Sequence, residues 1–406
     1  MKRVAFGAAL LALACGESSK EPSVDRSGAA GESSLGGAQL GGAFSGGAGG
    51  AGGSTSSGGA GGSAGERELP AMGGSAGSSG SSGTAGAAGA CSSRSKELTA
   101  WPGSASVVTL EPEGDFESDL SGLTYESPGV MWAVNNLSSK LFRLVKTGGR
   151  YERDLNDDWA SGKGLRFPGG QGAPDAEGVT LGATSGSGVY VSSERNLNEA
   201  EASRLSVLRY DVSAASTTLT ATHEWNVTAL LPDVDPNSGL EAITWVADAW
   251  LTAHGFLDDA SGKLYQPSDY GEHGGGMFVV GVEQTGALYG LALNHTTGSA
   301  TLLTTIAAPL EGVMGLEMDR DSGELWAYCD DTCGNQAAVL ALAESGHFEL
   351  TRRFSAPSGL PDSNNEGIAL APDSECSGGL KPFFWADDAD AGGFSLRQGA
   401  LSCGCR

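Results

Sequence analysis

Asp175, Glu177 and Glu194 bracket the segment DAEGVTLGATSGSGVYVSSERN (175–196), whose middle is apolar and rich in strand formers. It reads as a β-hairpin with acids at the start of its first strand and the end of its second. A hairpin lying on the surface has no need of acids at both points. The first half of the pattern recurs as DLSGLTY at 119, GLEAITW at 239, GVMGLEM at 312 and NNEGIAL at 364. Each lead-in meets a second apolar run: VMWAVNN, GVYVSSER, AWLTAHG, ELWAYCDD and PFFWADD. The aligned positions are Ser121, Glu177, Glu241, Met314 and Glu366. Carboxylates brought together from such strands would raise one another's pKa unless a cation neutralised them. Several hard oxygen ligands suit Ca²⁺.

The elements that would bring them together follow from the repeat. A unit of roughly 50–75 residues in an all-strand context predicts an all-β fold, a single β-propeller. The first strand of each blade would line the central channel and the acids would meet at one mouth. The expected ring is Asn135, Asn136, Glu177, Glu194, Glu241, His254, Asp330, Asp331, Glu366, Asp387 and Asp388. We expect five blades. Six is the alternative, because the 241–314 interval is long and holds the extra run GGGMFVVGVEQTGALYGLAL. The fifth unit lacks a fourth strand, and ASVVTLEP (105–112) has the composition to supply it from the N-terminal side, closing the ring and removing an exposed edge. AAVLALAES (337–345) fits a short helix or a strand.

The chain opens MKRVAFGAALLALACGESS. Lys2 and Arg3 precede an apolar run, Val4 to Ala14, too short for a membrane span and suited to a signal peptide. Ala14 before Cys15 resembles a bacterial lipobox, which implies cleavage of residues 1–14 and lipidation of Cys15. An ordinary secretory signal is the competing reading. Residues 15–96 are dominated by Gly, Ser and Ala and read as a flexible tether spanning on the order of 50 Å, with one globular domain over 97–406. The expected location is the cell envelope, at the outer membrane or cell surface, with membrane contact only through the lipid. GGSAG in the tether matches a hydrolase elbow string but lacks the strand and helix that string requires.

The chain has seven cysteines, six beyond Cys15. An even number in an exported protein favours disulfides over zinc, whose ligand pairs are spaced C-x2-C. Spacing suggests Cys329 with Cys333. We pair Cys376 with Cys403 and Cys91 with Cys405, two choices among several connectivities. Net charge is −25, which excludes a nucleic-acid partner and favours divalent cations. We expect a monomer.

The combination of DAEGV with VYVSSER, repeated as DLSGLTY and NNEGIAL…FFWADD, resembles exported propellers of the esterase-like phytase family, and related motifs occur in calcium-dependent lactonases. The resemblance implies a calcium-loaded acidic channel and hydrolysis of phosphoric or carboxylic esters, with a small ester or anionic ligand as partner. Under it, Glu177, Glu194 and Glu366 fall on the family's acidic positions. Glu177 or Glu366 would be the general base, and Arg195 a fork for an anionic substrate group. The metal ligands would be Glu177, Glu194, Glu241, Asp330, Glu366 and Asp387. Lys163 and Arg166 are further anion candidates. The chain departs from calcium phytases in having few basic residues near its repeats and Met314 at one acidic slot. A non-catalytic propeller binding a ligand or protein at the same mouth is the alternative.

Two bland readings compete with the site. A Gly after Glu at a strand start is often a turn device with positive φ, and Asp pairs such as Asp387–Asp388 often cap loops. DVDPNSG (233–239) resembles a calcium loop with its Gly one place late, and DRDSGE (319–324) reads as a hairpin turn. Trp132, Trp250, Trp326 and Trp385 are placed on second strands, as packing between blades.

Overall fold

The computed structural model describes residues 95–116, 118–156, 158–183 and 188–404, which form a five-bladed β-propeller. The blades, from the axis outward, are built as follows. Blade 1 is Leu120–Ser127, Val130–Asn135, Lys140–Thr147 and Lys163–Arg166. Blade 2 is Pro174–Leu181, Val189–Asn196, Ser203–Tyr210 and His223–Asn226. Blade 3 is Leu240–Ala247, Gly276–Val282, Leu288–Leu293 and Ala300–Ile306. Blade 4 is Gly315–Asp319, Glu324–Tyr328, Ala337–Leu342 and Phe348–Phe354. Blade 5 is Asn365–Leu370, Leu380–Asp387 and Leu396–Ser402, with Val108–Thr109 as its outer strand.

That outer strand is the N-terminal closure expected from ASVVTLEP. Val108 faces Gln398 and Thr109 faces Arg397, antiparallel. The closure is reinforced on both sides. Gly103 bridges Leu401, and Leu98–Thr99 runs parallel to the outer strand of blade 4. Trp101 drops into the interface of blades 4 and 5, its indole N–H donating to the Ala400 carbonyl (2.9 Å) and its ring 5.0 Å from Phe383. Buried Glu111 accepts from the backbone N–H of Ser395 and Leu396.

The core is a circle of five interfaces, one between each pair of neighbouring blades. Trp132 and Val191 meet between blades 1 and 2, Trp225 and Phe278 between 2 and 3, and Val279 and Leu325 between 3 and 4. Trp326 and Trp385 meet between 4 and 5, and Leu123 and Phe384 join 5 back to 1. Burying both faces of every sheet explains the β-branched and aromatic runs. It also confirms Trp132, Trp326 and Trp385 as packing between blades.

Blade 3 corrects one expectation. AWLTAHG is not its second strand: Asp248–His254 is an α-helix ended by left-handed Gly255. Trp250 therefore lies on a helix, packed on Phe348. The second and third strands come from GGGMFVVGVEQTGALYGLAL, and the long 241–314 interval is this insertion, so no sixth blade is needed. Residues 337–342 of AAVLALAES are strand. DRDSGE is the expected turn, with Gly323 at φ 72° between the first two strands of blade 4.

Among the described residues two disulfides are present, Cys329–Cys333 and Cys376–Cys403. Cys15, Cys91 and Cys405 lie outside the described residues, as do the signal assigned to 1–14 and all but the last two residues of the tether assigned to 15–96. Among the described residues no helix is long and apolar enough to cross a membrane.

Candidate metal centre at the axial mouth

The inner strands begin at one mouth of the channel, and four of them are irregular at the same point. Pairing with the second strand shifts register between Leu120 and Leu123, Ala176 and Val179, Leu240 and Ala242, and Asn365 and Ile368. Each irregularity contains the aligned polar residue: Ser121, Glu177, Glu241 or Glu366. A bulge rotates a side chain out of the normal alternation, and here it turns these groups toward the axis. Blade 4, where the position is Met314, has regular pairing from Gly315 onward.

The next residue is small in every blade: Gly122, Gly178, Ala242, Gly315 and Gly367. None of the four glycines has a positive φ, so they are not turn devices. They are there because the next blade's backbone is too near for a side chain. A Cβ on Gly122 would lie 2.4 Å from Glu177 O, on Gly315 2.6 Å from Glu366 O, and on Gly367 2.2 Å from Ser121 O. The Glu-Gly pair is thus a bulged acid followed by a close approach. Below it, Leu123, Val179, Ile243, Leu316 and Ile368 plug the channel.

The carboxylates converge. Oxygen atoms of Glu177, Glu241 and Glu366 lie within 4.8 Å of one another, and all three residues are buried. Two further groups adjoin them, Asp175–Glu177–Glu194 and Glu194–Glu241–Glu283, each within the same limit. Ser121 Oγ is 2.9 Å from Glu177 Oε2 and 2.7 Å from Glu366 Oε2. A hydroxyl has one proton, so it can donate to only one of them. Asn136 donates to Glu177 (3.2 Å), and Asn364 donates to both Glu366 and Asp388 (3.0 Å each). Glu194 accepts from the Gly239 N–H and shares a hydrogen bond with Glu241.

Magnitude decides what this cluster needs. At an effective dielectric of about 20, two carboxylates 4.8 Å apart repel by roughly 3.5 kcal/mol. Three such pairs approach the whole stability of a domain, about 5–15 kcal/mol. The triad cannot be fully ionised without a counter-charge. Burial, and after it the neighbouring acids, pushes Glu177, Glu241 and Glu366 well above the ordinary carboxylate range. Burial also raises Glu194, lifts Glu283 to about 7 and lifts Asp388 to about 6. Protons or a cation must occupy the centre.

The donor set fits a hard cation. It is all oxygen except for the Met314 thioether, which a hard ion does not recruit. A triangle with edges no longer than 4.8 Å has a point within about 2.8 Å of every corner (4.8/√3), close to the 2.3–2.6 Å of Ca²⁺–oxygen bonds. Asp388 Oδ1 is buried and has no hydrogen-bond partner.

The remaining expected residues lie elsewhere. Asp387 is fully buried against Arg397 (2.6 Å) and accepts from Ser363 and the backbone N–H of Ala389 and Ala391, so it is a loop cap bound to an internal cation. Asp330 caps the 331–333 turn through Thr332, and Asp331 is exposed. Asn135 braces the Ser118 and Ser138 turns. His254 is exposed on its helix, its Nδ1 bonded to Trp250 O, away from the inner strands that form the ring. Arg195 is paired with Asp175 (2.6 Å) and donates to Pro236 O, so its fork is already engaged. Lys163 is buried on the fourth strand of blade 1, which Thr218–Thr220 covers on its outside, donating to Ala214 O (2.7 Å) over the Trp159 ring, and Arg166 lies on the same strand. The 233–239 loop belongs to none of the clustered ligand groups among the described residues. Sequence reasoning missed Glu283 and Asn364 as neighbours of the centre. Their only signal is a polar residue directly after the second strand of blade 3 and directly before the innermost strand of blade 5.

No protein-family model and no curated protein matches the chain. Among solved structures it is similar to Myxococcus xanthus glutaminyl cyclase, with 11% identity, 73% of this chain and 97% of that one covered, and a TM-score of 0.40. It is similar to the PQQ-bound aldose sugar dehydrogenase of Streptomyces coelicolor, with 11% identity, 73% and 98% coverage and a TM-score of 0.37. A streptogramin B lyase aligns at 13% identity, 72% and 96% coverage and a TM-score of 0.34. At these identities none of the similarities bears on activity.

Proposed function

We propose that the axial mouth is a Ca²⁺ centre and that the protein is an envelope-tethered, metal-dependent hydrolase of small carboxylic esters. The observation that carries this reading is the triad Glu177, Glu241 and Glu366: buried oxygen donors from three blades, within 4.8 Å of one another. Glu194 is the fourth donor. When bound, a hard cation at this point supplies polarisation of an ester carbonyl and of water. The chain's own groups do the rest. Ser121, Asn136 and Asn364 hold the carboxylates in register. Asp388, with one unpartnered oxygen and a pKa raised to about 6 by burial and by Asp119, is placed to take a proton near neutral pH. Glu177 and Glu366, expected as bases from the sequence, are better used as ligands because both belong to the buried triad.

The geometry favours carboxylic over phosphoric esters. The expected anion-binding groups are engaged: Arg195 by Asp175, and Lys163 by the Ala214 carbonyl. A dianionic substrate would approach carboxylates with no compensating fork. The reading also includes lipid attachment at Cys15 and a tether over 15–96.

The test uses the purified full chain. Calorimetric Ca²⁺ titration after EGTA treatment should show one tight site. An aryl acetate and an aliphatic lactone should turn over with Ca²⁺ and not with EGTA, while an aryl phosphate should turn over poorly in both. Absence of Ca²⁺ binding would sink the proposal. Binding without turnover of any ester would leave a cation-dependent binding propeller. Mass spectrometry of the N-terminal peptide should show acylated Cys15, and Cys15→Ser should release the protein from membranes.

A further inference from the structure

The opposite mouth holds a second unspent acid. Three residues below the aligned mouth positions, the inner strands carry Thr124, Thr180, Thr244, Glu317 and Ala369. All are buried, and Glu317 is the sole acid in the layer. Three residues of strand put it about 10 Å below the calcium triad, beyond the apolar plug. Thr244 Oγ1 accepts from the Met318 N–H (3.1 Å). Glu317 is 8% exposed and its carboxyl has no hydrogen bond or ion pair among the described residues. A buried carboxyl without a partner costs several kcal/mol in a purely structural role.

Glu317 lines a cavity of about 200 Å³ between the lower ends of blades 1, 4 and 5. The other acids of that cavity are engaged: Asp319 with Lys381 (2.9 Å), Asp321 with the Asp373 N–H (2.6 Å), and Glu126 with the Trp132 indole (2.7 Å). Exposed Arg320 stands at its rim, over the Trp245 ring (5.9 Å) and close enough for its charge to act on Glu317, with no salt bridge among the described residues. The walls between are apolar: Pro128, Met318, Leu370 and Pro372. The cavity therefore offers an unpaired acid inside, a guanidinium at the edge and a greasy wall. Its volume equals that of about seven water molecules at ~30 Å³ each, enough room for a small organic molecule.

We infer that this lower cavity binds a small zwitterion of the amino-acid type, its ammonium on Glu317, its carboxylate on Arg320 and an aliphatic side chain against Met318 and Leu370. The inference is independent of the calcium reading. Burial lifts Glu317 to about 8, so at neutral pH the free protein holds a proton there. An incoming ammonium would ionise the carboxyl and release that proton.

The test is calorimetry of the full chain with L-valine, in EGTA, at pH 7, in two buffers of different ionisation enthalpy. Saturable binding with proton release is expected. Glu317→Gln and Arg320→Gln should each weaken it roughly tenfold or more, the loss of one charge-assisted contact. Isobutylamine and N-acetyl-L-valine, each lacking one charge, should bind the unaltered protein at least tenfold more weakly. Glu317→Gln removes an ionisable group from the interior, so its melting temperature should not fall, which separates lost binding from lost folding. No valine binding at millimolar concentration overturns the inference. So does N-acetyl-L-valine binding as well as valine, or unchanged binding in Glu317→Gln.

Discussion

Replacing Glu241 by Gln should reverse its effect on stability according to whether Ca²⁺ is present. Without the ion, the triad is kept from charging by protons, because Glu177, Glu241 and Glu366 all have pKa values raised far above the ordinary 4.5. A group whose folded pKa is raised binds more protons folded than unfolded. Its contribution is complete below about pH 4.5 and is lost as pH rises through the folded value. The ion-free protein should therefore lose stability as pH rises above about 4.5. Each ionised pair removed spares roughly 3.5 kcal/mol of repulsion or more, since 4.8 Å is the upper limit of the separations, so Glu241→Gln in EGTA at pH 8 should melt at or above the unaltered protein. With Ca²⁺ at a hundredfold excess over its Kd, the unaltered protein gains about 2.7 kcal/mol, on the order of 5 °C for a domain of this size. The variant, lacking one of three central ligands, should gain little. At pH 5 protons compete and the gain should shrink. Differential scanning calorimetry at pH 5 and pH 8, with Ca²⁺ and with EGTA, reads all four corners. If Ca²⁺ gives no shift at pH 8, or Glu241→Gln destabilises equally in EGTA and Ca²⁺, the argument from crowded charge is wrong.

Two further outcomes bear on the frame. Gly367→Ala places a methyl 2.2 Å from Ser121 O and 2.8 Å from Leu123 N, backbone that cannot rotate away; urea unfolding should show a loss of about 3 kcal/mol, the upper end of overpacking, together with weaker Ca²⁺ binding because blades 1 and 5 must part. Arg397→Met should destabilise by about 3–5 kcal/mol by leaving Asp387 charged and buried, while Ca²⁺ affinity measured on the folded fraction stays unchanged, since Asp387 is bound to Arg397 and not to the centre.

Much of the fold was legible in the chain. The five lead-ins carry the blade number because each innermost strand must pair outward and pack on both faces, and that demand writes a short apolar run after each polar lead-in. ASVVTLEP was readable as the closing strand for the same reason: the fifth unit was one strand short. The third blade was misread at AWLTAHG because an apolar run of that length satisfies either a helix or a strand, and only Gly276–Val282 pairing with Leu240–Ala247 settles which segment the sheet accepts. The local pattern could not show an insertion looping out.

By itself, then, the sequence determined the all-β propeller, its five repeats and the positions from which carboxylates would face the axis, since periodicity and residue type are local properties. Tertiary structure alone decided which acids stand together. Glu177, Glu241 and Glu366 meet because bulges rotate them inward and glycines let neighbouring backbones close on one another, whereas Asp387, equally acidic in the chain, is claimed by Arg397. Charge partners are chosen across blades, over distances in sequence that no local pattern records.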